Sequence, residues 1–291
     1  MKVYSVPVIR MVRWNLFALG ERTRLHSAIM SVEKKLPLSV AIITLNEERN
    51  LPRCLESVRE LAMEIVVIDS NSTDGTRAIA ERFGAVFEIN PFQGLISQVT
   101  VAVNRCTQPW VLCLDADEAL SPELATAIRR LFAAGEPAGN GFYVNRHTFY
   151  LGRWIDHAWY PEWRLRLVRQ KVAECIGREP HYVLRVPGAT ARLDGDLLHH
   201  SFRDLQDHLH KTIKWARVSA YASKKEVAMF PLLGITIAPW IAFFKQLVLK
   251  QGWRDGWRGW LIAGVKMVNV FSKYAFKQER RWAKQNKGDR T

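Results

Sequence analysis

"WVLCLDADEAL", Trp110–Leu120, runs five apolar residues into Asp115, Asp117 and Glu118. Three carboxylates so close repel one another unless positive charge lies between them. Acidic residues also gather where a strand hands over to a helix, so the stretch must be read with its surroundings. Upstream, "LSVAIITL" (38–45), "EIVVIDS" (64–70) and "AVFEI" (85–89) have the apolar, β-branched character of buried strands. Between them, "EERNLPRCLESV", "TDGTRAIAERFG" (closed by Gly84) and "ISQVTVAVN" read as helices. Such alternation implies right-handed βαβ units, hence an α/β fold with a mostly parallel sheet. Ligands of these sheets sit beyond the carboxyl ends of the strands. Three strands here end in polar clusters: Thr44-Asn46-Glu47, Asp69-Ser70-Asn71-Ser72 and Asp115-Asp117. Strand capping alone does not require that convergence.

With 291 residues, 48% of them hydrophobic, the chain can bury a core in one large domain with appendages. Its four cysteines form no CxxC pair and read as reduced core residues. The net charge of +14 is uneven: residues 1–36 carry +5, residues 241–291 carry +9, and the middle is neutral. A nucleic-acid enzyme would place positive charge around its groove. Basic ends on a neutral middle point instead to ends that touch an anionic membrane surface, and no nucleic-acid partner is expected.

The ends are also apolar. "VAMFPLLGITIAPWIAFF" (227–244) holds 18 uncharged residues but is interrupted by Pro231, Gly234 and Pro239. Trp253, Trp257 and Trp260 recur at helical spacing among Arg254, Arg258 and Lys266. Trp beside Lys and Arg is the composition of a bilayer interface, so an interfacial or re-entrant attachment is expected. A soluble helical subdomain with a Trp-rich core is the alternative. At the other end, Arg10 and Arg13 cut the apolar run, unlike a signal peptide; a basic amphipathic helix, or a true start at Met30, fits better. The expected organisation is a basic extension (1–36), a catalytic domain (37–226) and a membrane-associating helical region (227–291).

"VAIITLNEERNLPRCLESV", "EIVVIDSNSTDGT" and "VLCLDADE", in that order, resemble the glycosyltransferase family 2 catalytic domain, which has the Rossmann-like GT-A fold. "GRWIDHAWYPEWRLRLVR" followed by "LLHHSF" is similar to the lipopolysaccharide-core β-glucosyltransferase group within it. The resemblance implies a nucleotide-sugar donor, with Asp117 on a metal and Asp115 at the ribose or a metal-bound phosphate. It further implies that Glu47 and Asp69 hold ribose and base, beside Thr44, Asn46 and Ser72 at the same strand ends. Hard oxygen ligands suit Mg²⁺ or Mn²⁺, which would stabilise the departing diphosphate.

His199 in "LLHHSF" matches a family position and is a candidate for the metal or the phosphates, against a purely structural role. Arg164 and Arg166 alternate on a strand and are placed to clamp diphosphate. The helix bearing His208, His210, Lys211 and Lys214 reads as a solvated face. Relatives usually have Gln-Lys-Asn where this chain has Gln98-Val99-Thr100, and an acid where it has Tyr182. An inverting transferase needs a base for the acceptor hydroxyl, and tyrosine is a poor one. Glu162, among Trp159, Tyr160 and Trp163, is the first candidate, on the expectation that an apolar setting raises its pKa. Glu179 is the second.

The expected function is inverting hexosyl transfer from a nucleotide sugar, UDP-linked, to a lipid-linked saccharide such as lipopolysaccharide core. It would take place at the cytoplasmic face of the inner membrane. A polyprenyl-phosphate glycosyltransferase and a non-catalytic nucleotide-sugar-binding relative are the alternatives.

Overall fold

A computed structural model describes residues 34–179, 181–223 and 231–286. The expectations for residues 1–33, and for a boundary at 226, lie outside the described residues.

The first half of the unit Lys35–Thr291 alternates strand and helix. The elements are β1 (Leu36–Thr44), α1 (Leu51–Val58), β2 (Ala62–Asp69), α2 (Thr76–Arg82), β3 (Val86–Ile89), α3 (Leu95–Arg105) and β4 (Trp110–Asp115). After β5 (Glu118–Leu120) and α4 (Pro122–Ala133) come β6 (Gly141–Tyr150), β7 (Arg153–Trp154), β8 (Trp163–Arg169), β9 (Glu174–Arg178), β10 (His181–Arg185) and β11 (Thr190–His199). Three helices follow: α5 (Leu205–Ala222), α6 (Pro231–Phe244) and α7 (Trp257–Gln285).

The main sheet has the order β3-β2-β1-β4-β8-β6-β11-β5, with β7 beside β6. From β3 to β4 every pairing is parallel, as the alternation predicts. Beyond β4, β8 enters antiparallel to both β4 and β6. The chain leaves β1 towards β2 on one side and returns as β4 on the other. This reversal opens a crevice at the carboxyl ends, where Ile43 lies level with Asp115.

Both sheet faces are covered, which explains the uninterrupted apolar runs. Val40, Ile42, Leu112 and Leu114 pack on one face with Leu51, Cys54, Leu55 and Val58, the i, i+3, i+4, i+7 stripe of α1. Ala41, Val66, Ile68 and Val111 pack on the other with Val99, Ala102 and Val103 of α3. Three of the four free cysteines are buried here and the fourth, Cys175, is partly buried. Val99, one of the departures from the family pattern, is a core residue.

α5 is not the solvated face expected of it. His208 is 5% exposed, bonds the Tyr150 hydroxyl at 2.9 Å and packs on the Phe202 ring. Burial pushes its pKa down to about 4. The three tryptophans do not share one helix either. Trp253 lies in a short 3-10 turn, Gly252–Asp255, and Gly256 at φ 63° breaks the chain before α7. All three are nevertheless more than half exposed.

Asp255 ties this C-terminal turn to the sheet. It is 6% exposed and accepts hydrogen bonds from the backbone N–H of Asp156 (3.1 Å) and Ala158 (2.7 Å), and lies 3.0 Å from His157 Nδ1. Arg258 Nε donates to the Leu151 carbonyl nearby. Asp255→Ala would strand two backbone donors and is expected to cost roughly 2–4 kcal/mol. Asp255→Asn, which keeps an acceptor oxygen, should lose less. Urea unfolding midpoints check this, and equal midpoints for Asp255→Ala and the parent would refute the tether.

Candidate active site

The crevice beyond β1 and β4 is a cleft of about 1030 Å³, at the upper end of the range for small-molecule sites. Of the residues predicted from sequence, Thr44, Glu47, Asp115, Asp117, Arg164, Arg166, Glu179 and His199 line it. Glu162 lines an adjoining cavity.

Asn46, Asp69 and Ser72 are not among the residues that line the cleft. Asp69 is 1% exposed and its carboxylate accepts from the Thr44 hydroxyl (2.7 Å), the Ser72 N–H (2.6 Å) and the Ser72 hydroxyl (2.5 Å). Asn46 accepts from the Thr73 N–H, and its own N–H donates to Ser72. These polar residues splice the loops after β1 and β2, and so hold Thr44 and Glu47 at the cleft. Burial raises the Glu47 pKa, against a hydrogen bond from Asn50.

The opening carboxylates find their positive charge within the protein. Arg166, 3% exposed, reaches Asp115 at 2.9 Å and Glu118 at 2.6 Å, and its other nitrogen bonds the Tyr182 hydroxyl. Tyr182 donates to Asp115 at 2.9 Å. Glu118 is wholly buried, accepts the Asp115 N–H at 3.0 Å and lies 3.4 Å from Arg146. Burial pushes its carboxyl up, against the pull of Arg166. Tyr182 is likewise pushed well above its ordinary value, chiefly by burial. It is therefore a proton donor to Asp115, not a base. Arg166 was expected to clamp diphosphate; this geometry commits two of its nitrogens to the protein's own acids and tyrosine.

Asp117 points elsewhere. Its carboxylate lies 3.5 Å from His199 Nε2, while His199 Nδ1 is 3.0 Å from the Thr148 hydroxyl. Burial opposes ionisation of Asp117, but His199, Lys211 and Arg146 outweigh it and hold the carboxyl well below the usual range. With Nδ1 anchored on Thr148, His199 presents Nε2 to the Asp117 carboxylate, so that a ligand between them would meet both side chains. A divalent ion fits this donor pair. Among the described residues no third His, Cys, Asp or Glu completes the set, so diphosphate oxygens and water would supply the rest.

Glu162 overturns the reasoning that favoured it as base. The β6–β8 pairing sets Asn145 level with Trp163, and so brings Arg146 beside it. Glu162 lies 2.7 Å from Arg146 and 2.5 Å from Arg164. Burial opposes ionisation, yet the two guanidiniums bring its pKa down to about 2, far too low for a general base at neutral pH. Arg164 is correspondingly engaged. Glu179 accepts the Ile96 N–H at 3.0 Å, in the first turn of α3, with its carboxylate on the cleft.

Lys211 went unrecognised in the sequence. It lines the cleft, donates to the Ser201 carbonyl at 2.6 Å and pairs with Asp207 at 3.1 Å. The only hint in the sequence was the i, i+4 spacing of Asp207 and Lys211.

Removing Arg166 should leave the buried Glu118 and the partly buried Asp115 without their principal counter-charge. Arg166→Met is expected to destabilise by about 3–5 kcal/mol, and adding Glu118→Gln should restore part of that. Thermal and urea unfolding of the two variants would check it. A single variant as stable as the parent would remove Arg166 from its central place.

Known proteins bear on this site. The family profile described as Glycosyl transferase family 2 matches residues 39–183. The lipopolysaccharide core biosynthesis glycosyltransferase LpsC of Rhizobium meliloti is 32% identical over 249 residues, covering 81% of this chain and 90% of the relative. An uncharacterized glycosyltransferase of Rickettsia conorii is 44% identical over 97 residues, 33% of this chain and 34% of its own. Among solved structures, the mannosyltransferase PcManGT from Pyrobaculum calidifontis, in complex with GDP-Man and Mn²⁺, is 14% identical with a TM-score of 0.45, covering 88% of this chain and 94% of that one. The profile runs from β1 into β10, taking in the ends of β1 and β4 that open on the cleft, and the chain belongs to glycosyl transferase family 2.

Proposed function

We propose that this chain is a divalent-metal-dependent inverting hexosyltransferase, taking its sugar from a UDP-linked donor and passing it to a lipid-linked saccharide of the lipopolysaccharide-core kind. The observation that carries the reading is the Asp117–His199 pair at the wall of a nucleotide-sized cleft. In this reading Asp117 and His199 hold Mg²⁺ or Mn²⁺, which when bound offsets the charge of the departing diphosphate. Thr44 and Glu47 face the nucleoside, and Lys211 adds positive charge beside the phosphates. The acceptor oxygen forms its bond to the anomeric carbon as the bond to the diphosphate breaks, and the acceptor proton passes to a base. Glu179 is the base we assign, because Glu162 is held by two arginines and Tyr182 by Arg166 and Asp115.

The test is transfer from UDP-[14C]hexoses to a membrane extract. Asp117→Asn and His199→Ala should each lower transfer by about a hundredfold or more and abolish metal-dependent UDP binding. Glu179→Gln should lower transfer by roughly a hundredfold with UDP affinity retained, within the usual range for general-base catalysis. Glu162→Gln should act mainly on stability. Undiminished transfer by Asp117→Asn in chelator would sink the metal assignment. A parent that binds UDP-hexose yet transfers to no acceptor would favour a non-catalytic relative.

We further propose that the C-terminal region rests on the cytoplasmic face of an anionic membrane. Leu232, Leu233, Trp240, Ile241, Phe244 and Leu249 are each more than half exposed. Leu232–Leu249 is apolar enough to cross a membrane by length and composition, but Pro239 interrupts α6 and the exposed tryptophans lie past it. Both features suit an interfacial attachment. Sedimentation with phosphatidylglycerol vesicles should fall roughly tenfold for Trp253→Ser with Trp257→Ser, from about 1.5 kcal/mol of lost apolar burial. High salt should weaken binding as well. Full-length protein that never pellets with these vesicles would refute the attachment.

A further inference from the structure

A second cavity, of about 580 Å³, adjoins the cleft and shares Arg164, His199 and Lys211 with its wall. It continues from there to the C-terminal elements, where Lys250 and Lys266 line it. Its inner end thus lies at the histidine that faces Asp117. Its outer end lies among the elements that carry the exposed apolar side chains.

The charges of this cavity do not balance. Its one lining carboxylate among the described residues is Glu162, already shared between Arg146 and Arg164. Lys211 is paired with Asp207. Lys250 and Lys266 have no carboxylate within ion-pair distance among the described residues. Lys250 and Lys266 are exposed, and partial desolvation together with the neighbouring Lys273 and Lys245 pushes the Lys266 pKa down. Cations gathered around a cavity with no spare acid are a binding site for an anion. Two ammonium groups without a carboxylate partner suit a doubly charged anion, and a phosphate monoester is such a group on saccharides.

We infer that this cavity is the acceptor site, and that Lys250 and Lys266 bind a phosphate group borne by the acceptor saccharide. The inference rests on the donor assignment above and deepens it: the acceptor is a phosphorylated saccharide, recognised on the membrane side of the reacting hydroxyl. A neutral saccharide of the same shape would leave both lysines unmatched.

The experiment uses the full-length chain in uncharged detergent micelles. Saturating UDP and Mn²⁺ occupy the donor cleft, so that a phosphate probe cannot report on it. Glucose 6-phosphate is titrated calorimetrically, with glucose as the neutral control. Saturable binding of glucose 6-phosphate is expected. The double variant Lys250→Ala with Lys266→Ala should weaken it about tenfold or more, with UDP affinity changed less than about twofold. Thermal unfolding establishes that the variant, altered at two solvent-accessible positions, remains folded.

Glucose 6-phosphate that binds the variant as well as the parent, or that does not bind the parent, overturns the inference. A second arm with phosphatidylglycerol vesicles separates the two sources of phosphate. If the lysines matter for vesicles and glucose 6-phosphate does not bind, the site reads lipid headgroups and the acceptor assignment is lost. If UDP itself does not bind, the donor reading fails on its own, and the same titration without UDP still decides the lysine site.

Discussion

The architecture of the site depends on one guanidinium. Arg166 enters from β8 and lies between Asp115 and Glu118, the two carboxylates that close β4 and open β5. Without it, a wholly buried glutamate and a strand-end aspartate would repel each other in a medium that cannot screen them. β8 is also the strand at which the sheet changes from parallel to antiparallel. The same pairing that alters the topology therefore delivers the neutralising charge. Asp117 is left to face His199, Lys211 and the cleft. The carboxylates that look alike in the sequence are thus divided by environment into one set that builds the site and one that is available for a ligand.

A comparable division separates Glu162 from Glu179. Both are acids at the cleft or its adjoining cavity, but Glu162 is held between two arginines, whereas Glu179 bonds a backbone N–H in the first turn of α3. Aromatic neighbours promise a raised pKa only if no cation intrudes. Here two do, and their attraction exceeds the cost of burial.

The parallel half of the sheet was legible because β1, β2 and β4 are covered on both faces and so read as largely apolar runs. The stretches expected at 38–45 and 64–70 became Leu36–Thr44 and Ala62–Asp69. The convergence of Thr44, Glu47, Asp115 and Asp117 on one crevice followed from strand-end geometry. The antiparallel half was less legible, since its register depends on residues far apart in sequence. Nothing near Glu162 announces that Arg146 will lie beside it, because only the β6–β8 register brings them together. The hydrogen-bonding role of Asp69 was hidden for a similar reason: its partner Thr44 lies 25 residues away. The helix with Lys211 was misjudged because its polar residues face both solvent and a cleft, and periodicity does not tell the two apart.

Asp255 has a consequence for modularity. By seniority in the chain, the C-terminal helices look like an attachment added to a finished catalytic domain. Yet the loop that leads from β7 to β8 owes the position of its backbone at 156–158 to a carboxylate from the attachment. The two parts could not be recombined freely between relatives, since a foreign tail would bring a foreign loop geometry. A shortened chain ending before Asp255 would be a domain lacking the carboxylate that positions its own backbone at 156–158. Tail and loop geometry are inherited together.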